Sequence, residues 1–236
     1  MRHDRLELRR IPARRFPRDL IGVLAGLKAN NERDWFDAHR AEYEALFKEP
    51  ARDFVAAISG RLPELAEDLV AEPKIGRSIH RINRDTRFSK DKTPYQPRLH
   101  FVFWRGAKPA GASGFHFVIH ADSLGAGVGN WAFSPQQLER YRAAVADPKS
   151  GAALAKAIET GTAGPGMILD APALKRVPPG FDAESPQADL LKHKGIVVRG
   201  DRAIPDALFG PGAVDLALDL FRPFVPLHEW LVKHTD

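Results

Sequence analysis

The chain of 236 residues contains no cysteine. That excludes disulfide staples, cysteine-ligated metals, iron–sulfur clusters and thiol nucleophiles together. It also lacks a long apolar run. The longest uncharged stretch, residues 123–138, is interrupted by Gly, Asn, Pro and Gln, so it is not a membrane-spanning helix. No apolar segment of secretory type follows the arginine-rich start. A cytoplasmic protein with no membrane partner is therefore expected. Several catalytic signatures are missing too. The run from Gly125 to Asn130 has no third glycine at the dinucleotide-binding spacing, and no Gly-Lys-Ser/Thr loop occurs. His228-Glu229-Trp230-Leu231-Val232 has valine where a zinc protease needs its second histidine, and no nucleophile elbow is present.

What remains is an ordinary globular composition, 44% hydrophobic and 28% charged, with 19 Gly and 19 Pro to turn the chain. A chain of this length can bury roughly 70–75% of its unfolded surface. Its net charge of +5 is unevenly placed. Residues 74–105 carry nine basic side chains against Asp85 and Asp91, and residues 1–18 carry seven arginines against Asp4 and Glu7. The rest of the chain is acidic. Such a distribution points to a localised anion site more than to a surface that coats nucleic acid. The first 15 residues read as a basic tail, and residues 16–236 as a single domain.

Residues 16–29 place Leu20, Val23, Leu24 and Leu27 on one helical face. Asn31 is positioned to cap a second helix, with Asp34 at its third position, running from residue 32 towards 47 and burying Trp35, Phe36, Tyr43 and Leu46. Pro50 should interrupt it before a further helical stretch to residue 62. Residues 75–83, 99–104, 115–120 and 124–131 read as short strands, with residues 106–114 as a hairpin connection. Ser134, Pro135 and Gln137 form a capping-box start for another helix, with Leu138, Tyr141 and Val145 as its apolar stripe. A shorter helix centred on residues 154–158 should follow. Residues 167–199 read as edge strands and loops, and residues 214–232 as a helical finish broken at Pro223 and Pro226. The expected fold class is α+β, with a central antiparallel sheet flanked by N-terminal and C-terminal helices.

Two groups of residues bear on chemistry. His116 and His120 share a strand face, but four residues span about 13 Å, too far for one metal. His100 could lie opposite one of them on a neighbouring strand, and a metal would still need a ligand such as Asp122 or His80. No metal and no cofactor is expected. The second group is the loop over residues 81–95. Arg81, Arg84, Arg87 and Lys92 offer guanidinium forks and an ammonium for phosphate or carboxylate. Asp85 and Asp91 can orient them, and Phe88 and Tyr95 can anchor the loop to the core.

The string Arg81-x-x-Arg84-Asp85-x-Arg87-Phe88-x-x-Asp91-Lys92-x-x-Tyr95 resembles the signature of a bacterial family of uncharacterised proteins, domain of unknown function 2461. Supporting pieces are the run from Asn30 to Phe36, His39-Arg40 with Tyr43, the glycine-containing strand Leu124-Gly125-Ala126-Gly127, and Leu174-Lys175-Arg176-Val177-Pro178 with Gly180-Phe181-Asp182. The resemblance spans residues 16–230. The chain departs from the family pattern at Ser185-Pro186, where a His-Pro pair is frequent, and at Pro179, where lysine is common. The resemblance implies no activity.

Three readings stay open. In the first, Arg81, Arg84, Arg87, Lys92 and Tyr95, with Asn31 and Trp35, bind a phosphate-bearing partner, either a small nucleotide-like molecule or nucleic acid. The second is an enzyme acting on a phosphorylated or carboxylated small molecule, with Asp85, Asp91 or His39 as acid/base. In the third, the loop is a structural ion-pair lattice within a protein-interaction domain.

Overall fold

A computed structural model describes residues 15–107 and 111–235. The basic tail expected over residues 1–15 therefore lies outside the described residues apart from Arg15, as do residues 108–110 of the expected hairpin connection.

Helix α1, Asp19–Ala29, buries the four predicted apolar residues. Helix α2, Arg33–Ala38, starts from an extended Glu32 with no side-chain cap. The expectation that Asn31 caps it is corrected: the Asn31 amide is committed elsewhere, to the backbone of Tyr95. A short turn α3, Arg40–Glu42, runs into a π-helical turn, Tyr43–Lys48, and on into α4, Glu49–Ser59. Pro50 does not break this run, because it sits in the first turn of α4, where a missing N–H is tolerated. The widened π turn also rotates the apolar face, so Phe47 is buried instead of the half-buried Leu46, and Trp35 too is only half-buried.

Six strands form one antiparallel sheet in the order β1-β2-β3-β4-β6-β5. They are β1 Leu69–Val70, β2 Leu99–Arg105, β3 Gly114–Ile119, β4 Leu124–Asn130, β5 Ile168–Leu169 and β6 Ile196–Arg202. The strand expected over residues 75–83 forms only isolated bridges. Gly76, at φ +83°, turns the chain back on itself, with its N–H donating to Ile79 O. The segment then covers the edge of β2 that the two-residue β1 leaves free, through His80 N to His100 O and Val102 N to Ser78 O.

The capping box of α5, Pro135–Ala146, forms as expected. The helix after it, α6, covers Pro148–Thr162 and is longer than expected, because Asp147 caps its start. Helices α7, Ala213–Phe221, and α8, Val225–Thr235, close the chain. A 3-10 turn at Arg222–Phe224 separates them around Pro223, while Pro226 lies in the first turn of α8 and breaks nothing.

Strand alternation gives the sheet two different faces. Leu99, Phe101 and Phe103, Phe115, Phe117 and Ile119, and Leu124, Ala126 and Val128 join the apolar core. Phe54 of α4 lies 4.9 Å from Phe101, and Phe221 of α7 lies 5.2 Å from Phe115, so both helical ends of the chain pack on this face. The alternate residues, His100, Val102, Trp104, His116, Val118, Val197, Arg199 and Asp201 with three glycines of β4, form the opposite face.

Candidate functional site

The second face is chemically dense. Its histidines come from three elements. His100 Nε2 and His116 Nδ1 share a hydrogen bond of 2.9 Å. The register makes this a diagonal pair, since His100 stands opposite Val118 and His116 opposite Val102. His80, brought in by the turn at Gly76, stacks on His100 with ring centroids 4.0 Å apart. His120 Nε2 lies 4.0 Å from Asp201 Oδ1. Arg199 donates to Asp170 at 2.8 Å and lies 5.7 Å from the centre of the Trp131 ring.

Two adjoining cavities open on this face and share His116 and Trp131. The smaller, about 210 Å³, is lined by Arg98, His100, His120, Arg199 and Asp201 with the glycine-rich strand β4 beneath. The larger, about 400 Å³, lies towards Gly76, Arg77, His80, Arg81, Val102, Ala112 and Ala132. Every residue lining the two comes from a strand or a loop. Glycine keeps their floor low. A Cβ on Gly127 would meet Arg199 Cβ at 2.8 Å and Val198 O at 2.9 Å, and one on Gly129, at φ +141°, would meet Ile196 O at 2.0 Å.

The electrostatics of this face are unsettled in the free protein. Arg98 Nε and His100 Nδ1 are both buried without a hydrogen-bond partner among the described residues. An orphaned buried polar group costs about 1–3 kcal/mol, and more if charged. Burial, followed by the positive charge of Arg199, weakens the charged form of Arg98, and Asp201 offsets this only in part. His116 is pushed down to about 3, chiefly by burial and then by His80 and Arg98. His100 is driven well below the ordinary imidazole range by burial, with His80, His116 and Arg98 adding to it. Burial also lowers His80 and His120. Burial thus favours the neutral imidazoles, and the residues that carry the two orphaned atoms line a space that adjoins the larger cavity.

The 81–95 loop is organised differently. Arg84 pairs with Asp91 and the Thr93 hydroxyl. Arg87 grips Asp85 with two bonds, of 2.9 and 2.7 Å. Lys92 donates to Thr86 O at 2.9 Å. The Thr93 backbone N–H, followed by Arg84, holds Asp91 down at about 2, and Arg87 lowers Asp85. Both carboxylates stay ionised, which makes them poor general acids. Tyr95 is buried against Phe36, at 4.5 Å, and Asn31 clamps its backbone through bonds of 2.9 and 3.0 Å. Phe88 does not anchor the loop as expected: it is 95% exposed, with only Arg87 over its ring. It sits at a tip where the loop folds on its own ion pairs and leaves no apolar partner in reach. Trp35 stacks on His39 at 4.0 Å, and His39 Nδ1 lies 2.8 Å from Trp35 O. Asn31, Arg33, Thr86 and Lys92 border a shallow depression of about 440 Å³. Of the sequence-predicted residues, Arg81 alone lines the cavities on the sheet, where it makes no ion pair among the described residues.

Sequence reasoning missed Arg98, Arg199, Asp201 and Trp131, and set the histidines aside as an ordinary strand lining. The available signal was the alternation itself: His100 between Leu99 and Phe101, His116 between Phe115 and Phe117, and glycines at 125, 127 and 129 in the next strand.

Fold and site together define an α+β protein whose antiparallel sheet is packed on one face and carries a histidine–arginine cleft on the other. A family model described as a conserved hypothetical protein, DUF2461, matches residues 20–230, and the chain belongs to that family. No curated protein matches it. Among the described residues no helix is long and apolar enough to cross a membrane, and no group of three His, Asp or Glu side chains is placed to hold a metal ion.

Proposed function

We propose that this protein, acting as a single domain over residues 16–236, binds a phosphate-bearing ligand in the cleft on the open face of its sheet. The observation that carries this reading is the pair of orphaned buried atoms, Arg98 Nε and His100 Nδ1, whose residues line one cavity. A phosphoryl group accepts hydrogen bonds from several donors at once and replaces the water they lost on burial. Arg81 reaches the adjoining cavity with no ion pair among the described residues, so one cation of the basic loop serves the same site.

Isothermal titration at low salt with inorganic phosphate, adenosine monophosphate and a short single-stranded oligonucleotide tests the reading. At least one should bind, and Arg98→Ala should weaken it tenfold or more, since hydrogen bonds to charged groups are worth about 1.5–3 kcal/mol. Arg87→Ala should leave it within twofold. Failure of all three probes to bind the unaltered protein overturns the proposal.

The loop itself supports a second reading, favoured by its internal pairing: residues 84–95 form an ion-pair lattice that holds Arg81 and His80 over the sheet.

A further inference from the structure

The two cavities differ in kind, and the difference narrows the ligand. The smaller is lined by polar groups, the cations Arg98 and Arg199 and the imidazoles of His100 and His120, with one carboxylate, Asp201. In the larger, Val102, Ala112 and Ala132 supply apolar wall, Arg77 and Asn130 are committed, and Arg81 stands at the rim without an ion pair among the described residues. Arg77 is paired with Glu72, and Asn130 both donates to Gly111 O and accepts from Ala132 N–H. Between the two stands Trp131, 57% exposed, with Arg199 over its ring and His116 edge-on at 6.3 Å. A flat, exposed indole at the junction of the two compartments, one of them with an apolar wall, is a stacking platform for an aromatic ring.

Resting on the phosphate-site reading above, we infer that the ligand joins a phosphoryl head, held at Arg98 and His100, to a flat aromatic body stacked at Trp131 and directed towards Val102 and Ala112. This is the chemistry of a nucleoside monophosphate. The larger cavity, about 400 Å³, falls in the size range of small-molecule sites, roughly 300–1,000 Å³, and the smaller, about 210 Å³, adjoins it through His116 and Trp131. A polynucleotide is disfavoured because it needs a succession of free cations along its backbone. Here Arg84, Arg87 and Lys92 are spent within their own loop, and Arg77 and Arg199 hold carboxylates of their own.

Titration calorimetry with inorganic phosphate, phenyl phosphate, adenosine monophosphate, adenosine and a thymidine oligonucleotide tests the inference. Adenosine monophosphate should bind at least tenfold tighter than inorganic phosphate, with phenyl phosphate between them. Trp131→Ala should remove most of that increment and leave phosphate affinity within twofold, and Trp131→Phe should restore part of it. Arg98→Ala should weaken every phosphate-bearing probe. Equal affinity for adenosine monophosphate and phosphate overturns the inference while the phosphate site stands. Binding of the oligonucleotide with tenfold preference over the monophosphate also overturns it. If no phosphate-bearing probe binds, both readings fall.

Discussion

The loop over residues 84–95 and the open face of the sheet both gather positive charge, yet they treat it in opposite ways. In the loop, each arginine has a carboxylate within two to seven residues along the chain, so the charges neutralise one another locally and stay in water. On the sheet, Arg98 lies among histidines of the adjacent strands β2 and β3 and faces Asp201 of β6, which forms no contact ion pair with it among the described residues. Density of charge marks the first region; unmet hydrogen-bonding capacity marks the second. Only the second leaves free energy for a ligand to release, because a satisfied exposed pair is worth about 0–1 kcal/mol while an orphaned buried donor costs more.

Acid should expose the contrast most strongly. Histidines that fold with lowered pKa bind fewer protons in the native state than in the unfolded chain. Their contribution is therefore complete above about pH 6.5 and is lost as pH falls towards about 3, the value to which His116 is pushed. Urea unfolding at pH 7 and pH 5 should differ by on the order of 2 kcal/mol from His116 alone, with His100 adding in the same direction. His116→Gln should shrink that difference, and sulfate, whose charge is constant over this range, should shrink it too by raising the imidazoles and stabilising the protein at pH 5. A stability unchanged between the two pH values would show that the face is hydrated and already satisfied. His228, lowered to about 4 by burial, adds to the same acid limb from the core side, so His228→Gln is the control.

A smaller effect tests how the loop is attached. Asn31→Ala removes both bonds to the Tyr95 backbone and should cost about 1–3 kcal/mol in chemical denaturation. Asn31→Asp, which keeps the acceptor for the Tyr95 N–H, should cost less. Equal losses would mean that the loop is held mainly by the buried Tyr95 ring. The smallest differences lie within the loop. Arg84, whose side chain is 23% exposed, should lose roughly 1 kcal/mol on change to Ala, and Arg87, at 77%, should lose less than Arg84. Thermal melting of both variants checks the order, and a reversal would make Arg87 the pivot of the lattice.

Local patterns were the legible part of the fold. The capping box at Ser134 and the stripe of α1 are set by contacts three and four residues apart, and the alternation in β2 and β3 by the pleat, so they are written in consecutive residues. Non-local competition defeated the rest. Asn31 looks like a helix cap, but the edge of Tyr95, 64 residues away, takes both ends of its amide. Residues 75–83 have strand composition, but the turn at Gly76 folds them onto β2 and leaves them no second neighbour. The loop stood out because its residues are contiguous. The cleft did not, because Arg98, His116, Trp131 and Arg199 come from four separate segments.

Composition, spacing and motif thus decided the fold class and the family. Those properties depend on neighbours along the chain. Which charges remain free was decided only when strands β2, β3, β4 and β6 came side by side. Pairing across a sheet brings distant residues within hydrogen-bond range, and burial then fixes which of them find a partner and which must wait for one.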